Sequence, residues 1–361
     1  MVTFVWIPQV ATLPIIRHDM NMTIDCLSTN LSITIAIVKL FVLQYQRSVV
    51  GTVVNSMAKD WQNIQTKDEW EAMMVTGRIS SLNSKISFCV TTLSFSGVVV
   101  IQLFVILGSG EDPDRDPRLA YGFVMESYFP FNTSSPLIFV PLWLTQTFST
   151  GLSAATYAAP DCFVSTLGLH LCGQLNIVRY LLRNLANDTT TQQPVEYWKR
   201  LCVIVRRHEH LNQRTYVMDK LFSTLLLAQM LICSVTFCCQ GYAMFRRTVD
   251  LNGEALPIPV LVFRIFYAAC TIEHLFVCCY VGERLSAEST SISDAFYETP
   301  WYDLAPKEAR AFLLVCQRSN RPLELRAGKF CTFNLQLFNT IMKNSMGYIS
   351  MLMAMKDRLI D

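Results

Sequence analysis

Charge is what this chain has least of. Of 361 residues, 16% are Asp, Glu, Lys or Arg, against about 25% in a soluble globular protein. The net charge is +2 and no run of Lys and Arg is long enough to form a phosphate-binding patch, so nucleic acid is not an expected partner. Catalytic patterns are missing as well. The stretch RRHEH at 206–210 is not the metalloprotease pattern, which sets histidines at i and i+4 with glutamate directly after the first. There is no nucleophile elbow, no phosphate-cradling glycine loop and no Cys-x-x-Cys pair. Nothing points to an enzyme, a bound metal or a cofactor. The opening MVTFVWIPQV lacks the basic start of a secretory signal. The thirteen cysteines form no spaced framework, and Cys238, Cys239, Cys278 and Cys279 lie inside apolar blocks, where a thiol acts as a small hydrophobe.

What the chain does have is apolar sequence in long blocks. It is 52% hydrophobic with a mean hydropathy of +0.31, and a bilayer-spanning helix needs about 20 such residues in a row. Five blocks read as spans, at 31–43, 86–107, 136–160, 221–245 and 257–282. A sixth, KFCTFNLQLFNTIMKNSMGYISMLMAM at 329–355, carries Gln336, Asn339, Lys343, Asn344 and Ser345, which suits a helix facing something other than lipid. The first block, MVTFVWIPQVATLPII at 1–16, is apolar, interrupted by two prolines and too short to cross.

Orientation follows from the basic residues of the connectors. Lys59, Lys67, Arg78 and Lys85 lie between the first two spans. Arg179, Arg183, Lys199, Arg200, Arg206, Arg207 and Arg214 lie between the third and fourth, and Arg284, Lys307, Arg310, Arg318, Arg321 and Arg326 between the last two. These three connectors are expected in the cytoplasm, which sets the C-terminus outside. The sequons at Asn21 and Asn132 then fall on the outer side, where glycosylation is expected, and the one at Asn187 falls inside. Two inner stretches read as helices, 198–216 and 306–319, the second with an apolar face of Phe312, Leu313, Val315 and Cys316.

Charges within or near the blocks are costly and tend to be paired. Lys39 is placed to snorkel, Arg264 to reach headgroups, and Glu273 with His274 to form an interhelical pair or a proton relay. In the last block Met351 and Met355 stand at i and i+4 on one face, where they either fill helix contacts or close a pore as an apolar ring.

The segment LFVCCYVGERLSAESTSISDAFYETPWYDL at 275–304 turns from apolar to polar at Gly282. It resembles the hallmark of insect odorant receptors, through Tyr280, Gly282, Glu283, Leu285, Glu288, Ser289, Ala295, Tyr297, Pro300, Trp301 and Tyr302. The last block agrees in Ala327-Gly328-Lys329-Phe330, Leu337-Phe338, Tyr348 and Leu352. Gustatory receptors typically end in Thr-Tyr followed by Gln-Phe. This chain has Gly347-Tyr348 and no Gln-Phe.

The resemblance implies an all-α membrane protein with the seven-span insect olfactory receptor fold, N-terminus inside and C-terminus outside, its first span truncated. Residues 1–16 are then the outer end of that span. Residues 17–160 hold the second to fourth spans, with outer loops at 17–27 and 110–135. Residues 161–220 are a cytoplasmic extension, 221–282 the fifth and sixth spans, and 283–327 a cytoplasmic anchor region. A pore-lining helix at 328–356 and an outer tail at 357–361 complete the chain. The implied function is an odorant-gated, non-selective cation channel formed with a shared co-receptor in a hetero-oligomer, tetrameric in the family's pattern, in the plasma membrane of olfactory dendrites and in contact with lipid. A gustatory-type channel and a metabotropic receptor are the alternatives. A transporter should show an internal repeat, and none is evident. A small volatile is expected in the outer half of the bundle, with candidate contacts Ser32, Ala36, Val100, Phe104, Gln146, Ser149, Phe266 and Tyr267. Met351 and Met355 fall at the implied gate, and Tyr280, Glu283, Trp301, Tyr302 and Phe312 at the implied subunit contacts.

Overall fold

A computed structural model describes residues 2–17, 20–108, 123–125, 127–133, 135–187, 194–249, 258–299 and 301–360. The chain is helical almost throughout. A π-helical turn, Val2–Trp6, leads into α1 (Ile7–Ile16). Then come α2 (Met20–Tyr45), α3 (Arg47–Gln62), α4 (Lys67–Gly108) and α5 (Pro136–Asn187). They are followed by α6 (Pro194–Val249), α7 (Ile258–Tyr297), α8 (Pro306–Ser319) and α9 (Leu335–Ile360). A two-stranded hairpin, β1 (Arg326–Ala327) with β2 (Cys331–Thr332), sits between the last two helices.

Local chemistry sets the ends of several elements. Thr66 and Glu69 cap the start of α4 much as a capping box does, with the carboxylate reaching one residue beyond the N-cap. The Thr66 hydroxyl accepts from the Glu69 amide at 3.2 Å, and the Glu69 carboxylate accepts from the Gln65 amide at 3.1 Å. Pro306 opens α8, where its missing amide leaves nothing unsatisfied. The predicted helix over 306–319 is this element, and it buries Phe312, Cys316 and Ser319. In the hairpin Gly328 has φ +61°, the left-handed position that a three-residue turn requires and that glycine alone takes without cost.

Among the described residues, four helices are long and apolar enough to cross a membrane: Met22–Tyr45, Lys67–Phe104, Val195–Met244 and Leu261–Ala295. The block predicted at 136–160 is the first half of α5, which packs against α4 and α7. The 56 residues of α6 extend over about 80 Å at 1.5 Å per residue, well beyond a hydrocarbon core of about 30 Å. Burial follows that division. The largest apolar core joins the later parts of α5 and α7 to the first part of α6, through Leu175, Leu182, Leu211, Phe222, Cys279 and Leu285, and takes in Phe312 of α8. In the segments read as spans, Phe88, Phe104, Leu137 and Phe148 are exposed. Lipid removes the drive to bury them, whereas water imposes it on the inner halves.

The predicted break in polarity at Gly282 is not a break in the helix, because α7 continues to Tyr297 before a short 3₁₀ turn at Trp301–Asp303. At Gly282 the backbone of Phe333 crosses so close that an added Cβ would collide with the Phe333 carbonyl. Glycine there lets the chain entering α9 pass over α7.

Candidate functional site

Four helices line a partly open cavity of about 100 Å³. Thr29, Ser32 and Ile33 come from α2, Thr91, Ser94, Phe95 and Val98 from α4, Thr150, Ser153, Ala154 and Tyr157 from α5, and Phe263, Tyr267, Cys270 and Thr271 from α7. In each helix the spacing is three or four residues, which sets those side chains on one face. The accessible wall is mostly carbon, and no charged side chain lines it. Met125, from the segment before α5, also lines the cavity. That segment is held by Gln146, whose Nε2 donates to the Met125 carbonyl at 3.1 Å and to the Ser127 hydroxyl at 2.8 Å.

A buried ionic cluster adjoins the cavity. Lys39 Nζ donates to both carboxylate oxygens of Asp161, at 2.7 and 2.8 Å, and to the Tyr157 carbonyl at 3.2 Å. His274 Nδ1 lies 3.0 Å from Asp161 Oδ2. Pro160 lacks the amide that would bond the carbonyl of Thr156, and Asp161 follows it directly. Tyr157 belongs to both regions. It lines the cavity, its ring meets His274 edge-on at 4.7 Å, and Lys39 Nζ sits 4.6 Å from its centroid. Gln229 Nε2 donates to the Tyr157 hydroxyl at 3.1 Å. Lys39 therefore does not snorkel: it is 2% exposed and its charge is answered inside the protein. Arg264 is paired as well, donating to both oxygens of Asp25 at 2.7 and 2.6 Å. Glu273 accepts from Ser87 at 2.6 Å, linking α7 to α4.

Beyond the spans, ion pairs tie the inner ends together. Asp60 of α3 meets His170 of α5 at 2.9 Å and is also bonded by Arg214 of α6. Burial raises the Asp60 carboxyl, but hydrogen bonds from His170 and Arg214 outweigh it and hold the group below its ordinary value. Arg207 reaches Gln174 at 3.0 Å and Glu69 at 3.3 Å. The His208 imidazole is held below the ordinary histidine value, first by burial and then by the charge of Arg318.

Of the residues singled out in the sequence, Ser32 and Tyr267 line the cavity, and their hydroxyls lie 2.9 Å apart. Ala36 is fully buried one turn further along α2, and Ser149 and Gln146 are buried in α5 beside the lining residues. Phe266 is half-buried next to Tyr267. Val100 and Phe104 lie on the exposed face of α4, Phe104 at 62%. Tyr280 is half-buried and stacks on Phe276. Glu283 accepts from the Leu335 amide at 3.3 Å, at the start of α9. Phe312 is buried under α8, while Trp301 and Tyr302 are exposed and meet edge to face. Met351 is exposed on α9; Met355 lies on the same helix, outside the residues whose side chains are described. Asn132 is exposed in the segment before α5, and Asn21 lies in the first turn of α2 with its side chain likewise outside the described set.

Long helices, four of them among the described residues apolar enough to cross a membrane, surround a chamber whose wall carries no charged side chain. The family described as 7tm Odorant receptor matches residues 19–346, and the chain belongs to that family. Odorant receptor 13a of Drosophila melanogaster is 24% identical over 264 residues, 69% of this chain and 60% of the relative. The Odorant receptor coreceptor of Ooceraea biroi is 27% identical over 170 residues, 47% of this chain and 33% of the relative. The match thus spans less than two thirds of the length of the first relative and a third of the second. The solved olfactory receptor OR5 of Machilis hrabei, in complex with eugenol, superposes with a TM-score of 0.72 at 11% identity, over 96% of this chain and 85% of that one.

Proposed function

We propose that this chain is the odorant-specific subunit of a heteromeric, odorant-gated, non-selective cation channel formed with the odorant receptor co-receptor. The observation that carries the reading is the chamber shared by α2, α4, α5 and α7 in a chain of this family. Such a site, apolar with a few polar atoms, suits a small volatile molecule. Ser32 and Tyr267 contact the ligand. Ala36, Gln146, Ser149 and Phe266 shape the chamber from behind, whereas Val100 and Phe104, on the exposed face of α4, take no part in it.

The proposed pore helix is α9. Gln336, Asn339, Lys343 and Met351 are exposed on it at spacings that keep them near one face. A polar stripe against hydrocarbon is costly, and a water-filled pore between subunits removes that cost. Met351 and Met355 then form its apolar constriction. Tyr280, Glu283, Trp301, Tyr302 and Phe312 belong to the region through which subunits assemble, the exposed Trp301 and Tyr302 making the direct contacts. Ligand must bind the open state more tightly than the closed one, since equal affinity shifts nothing. The assembly resides in the plasma membrane of olfactory dendrites, with Asn132 glycosylated on its outer face.

Whole-cell current in cells expressing this chain with the co-receptor tests the reading, with the co-receptor alone as control. An odorant-evoked cation current confined to the pair is expected. A C-terminal tag that labels only after permeabilisation would instead support a metabotropic receptor.

A further inference from the structure

Most hydroxyl groups of the chamber commit their protons to helix carbonyls. A hydroxyl carries one donor and two acceptor lone pairs. Ser94 donates to the Val90 carbonyl at 2.9 Å, Thr150 to Gln146 at 2.9 Å, and Ser153 to Ser149 at 2.8 Å. On α7, Thr271 donates to the Tyr267 carbonyl at 3.1 Å, and on α2 Thr29 donates to the Asp25 carbonyl at the same distance. A carbonyl oxygen has no proton to give, so the direction of these bonds follows from the atoms themselves. Ser32 and Tyr267 share their two protons between each other and the Ser28 carbonyl. Tyr157 already receives a bond from Gln229 and has Cys233 Sγ at 3.6 Å, while Thr91 faces Cys270 Sγ at 3.7 Å.

What remains on the wall is mostly lone pairs set in carbon, with the hydroxyls of Thr91 and Tyr157 facing thiols. We propose that the chamber selects neutral ligands carrying a hydrogen-bond donor, an apolar alcohol or phenol, over the ketone or ether of the same shape. The inference deepens the ligand-binding reading above and rests on it. A hydroxyl ligand gains a bond without disturbing the wall. A ketone or ether brings another acceptor, and to be satisfied it must turn a hydroxyl proton away from a helix carbonyl or, at Thr91 and Tyr157, away from a thiol, exchanging one contact for another. The difference of about one neutral hydrogen bond corresponds to roughly tenfold in affinity. The lack of a charged lining residue excludes a carboxylate or an ammonium ion, which would be desolvated with no partner.

The test compares cyclohexanol with cyclohexanone, and p-cresol with its methyl ether. Each is measured by thermal stabilisation of the purified complex of this chain with the co-receptor, and by evoked current in cells. The hydroxyl compound of each pair should stabilise the complex at about tenfold lower concentration than its partner. Thr150→Val and Ser153→Ala each delete an acceptor, and at least one should move the ratio towards one. Equal or better stabilisation by the ketone and ether overturns the inference, as does the absence of stabilisation by either hydroxyl compound. Stabilisation with the expected preference but without current upholds the specificity and contradicts the channel reading.

Discussion

Lys39 shows how one side chain is decided by its neighbours. Its four-carbon stem could carry the charge to a membrane surface, yet it lies 2.7 Å from Asp161 and both are almost wholly buried. Removing one partner of such a pair strands the other charge, which costs about 3 kcal/mol or more. Lys39→Met is therefore expected to lower the melting temperature of the purified complex and reduce surface delivery, and Lys39→Met with Asp161→Leu to recover much of both. Unchanged stability in the single variant would mean the pair contributes little. The sequence exposed Lys39, Glu273 and His274 as charges in apolar blocks, but Asp161 sits just after Pro160, where it reads as the end of a span. Its partner lies 122 positions away, a distance no local pattern reveals. His208 gives a second residue-scale expectation. It is buried and held below the ordinary histidine value, so below a pH of about 6.5 the unfolded chain takes up a proton that the folded chain resists. Stability should fall as pH drops from that value towards the lower folded one, and His208→Gln should flatten the decline. Asp60, also lowered, acts in a separate window beneath the ordinary carboxylate value.

Among the elements, α7 connects most of what matters. It lines the chamber with Tyr267 and Cys270, meets Asp161 through His274, and passes under the entry to α9 at Gly282. Gly282→Ala forces the Phe333 backbone away and should destabilise the protein by about 2 kcal/mol, visible as a lower melting temperature; an unchanged melt would show that the crossing gives way freely. The element was legible in part. Its apolar run and the polar switch at Gly282 stood out, while the continuity of the helix to Tyr297 did not, because polar composition alone resembles a connector. The chamber face left a signal that was passed over. Thr91 with Ser94, and Thr150 with Ser153, repeat at three residues inside apolar blocks. Val100 and Phe104, chosen for their position near the outer end, fall off the face that Thr91, Ser94 and Val98 define.

At the scale of the whole molecule, the fold divides its duties along the axis of its long helices. The inner halves bury a continuous apolar core, and the segments read as spans leave large side chains exposed, as a chain moving from water into lipid must. Block hydrophobicity was sufficient to read this class, since a bilayer imposes its thickness on sequence. The chamber was not readable in the same way, because it depends on which faces of four separate helices converge. Its role is tested most directly by filling it. Ala154 lines the chamber, and Ala154→Phe places a ring where a ligand would lie. With the co-receptor and equal surface labelling, the variant should need at least about tenfold more of any activating odorant than the unmodified chain, or lose the current altogether. An unaltered concentration–response curve in correctly delivered protein would contradict the assignment of this chamber as the odorant site.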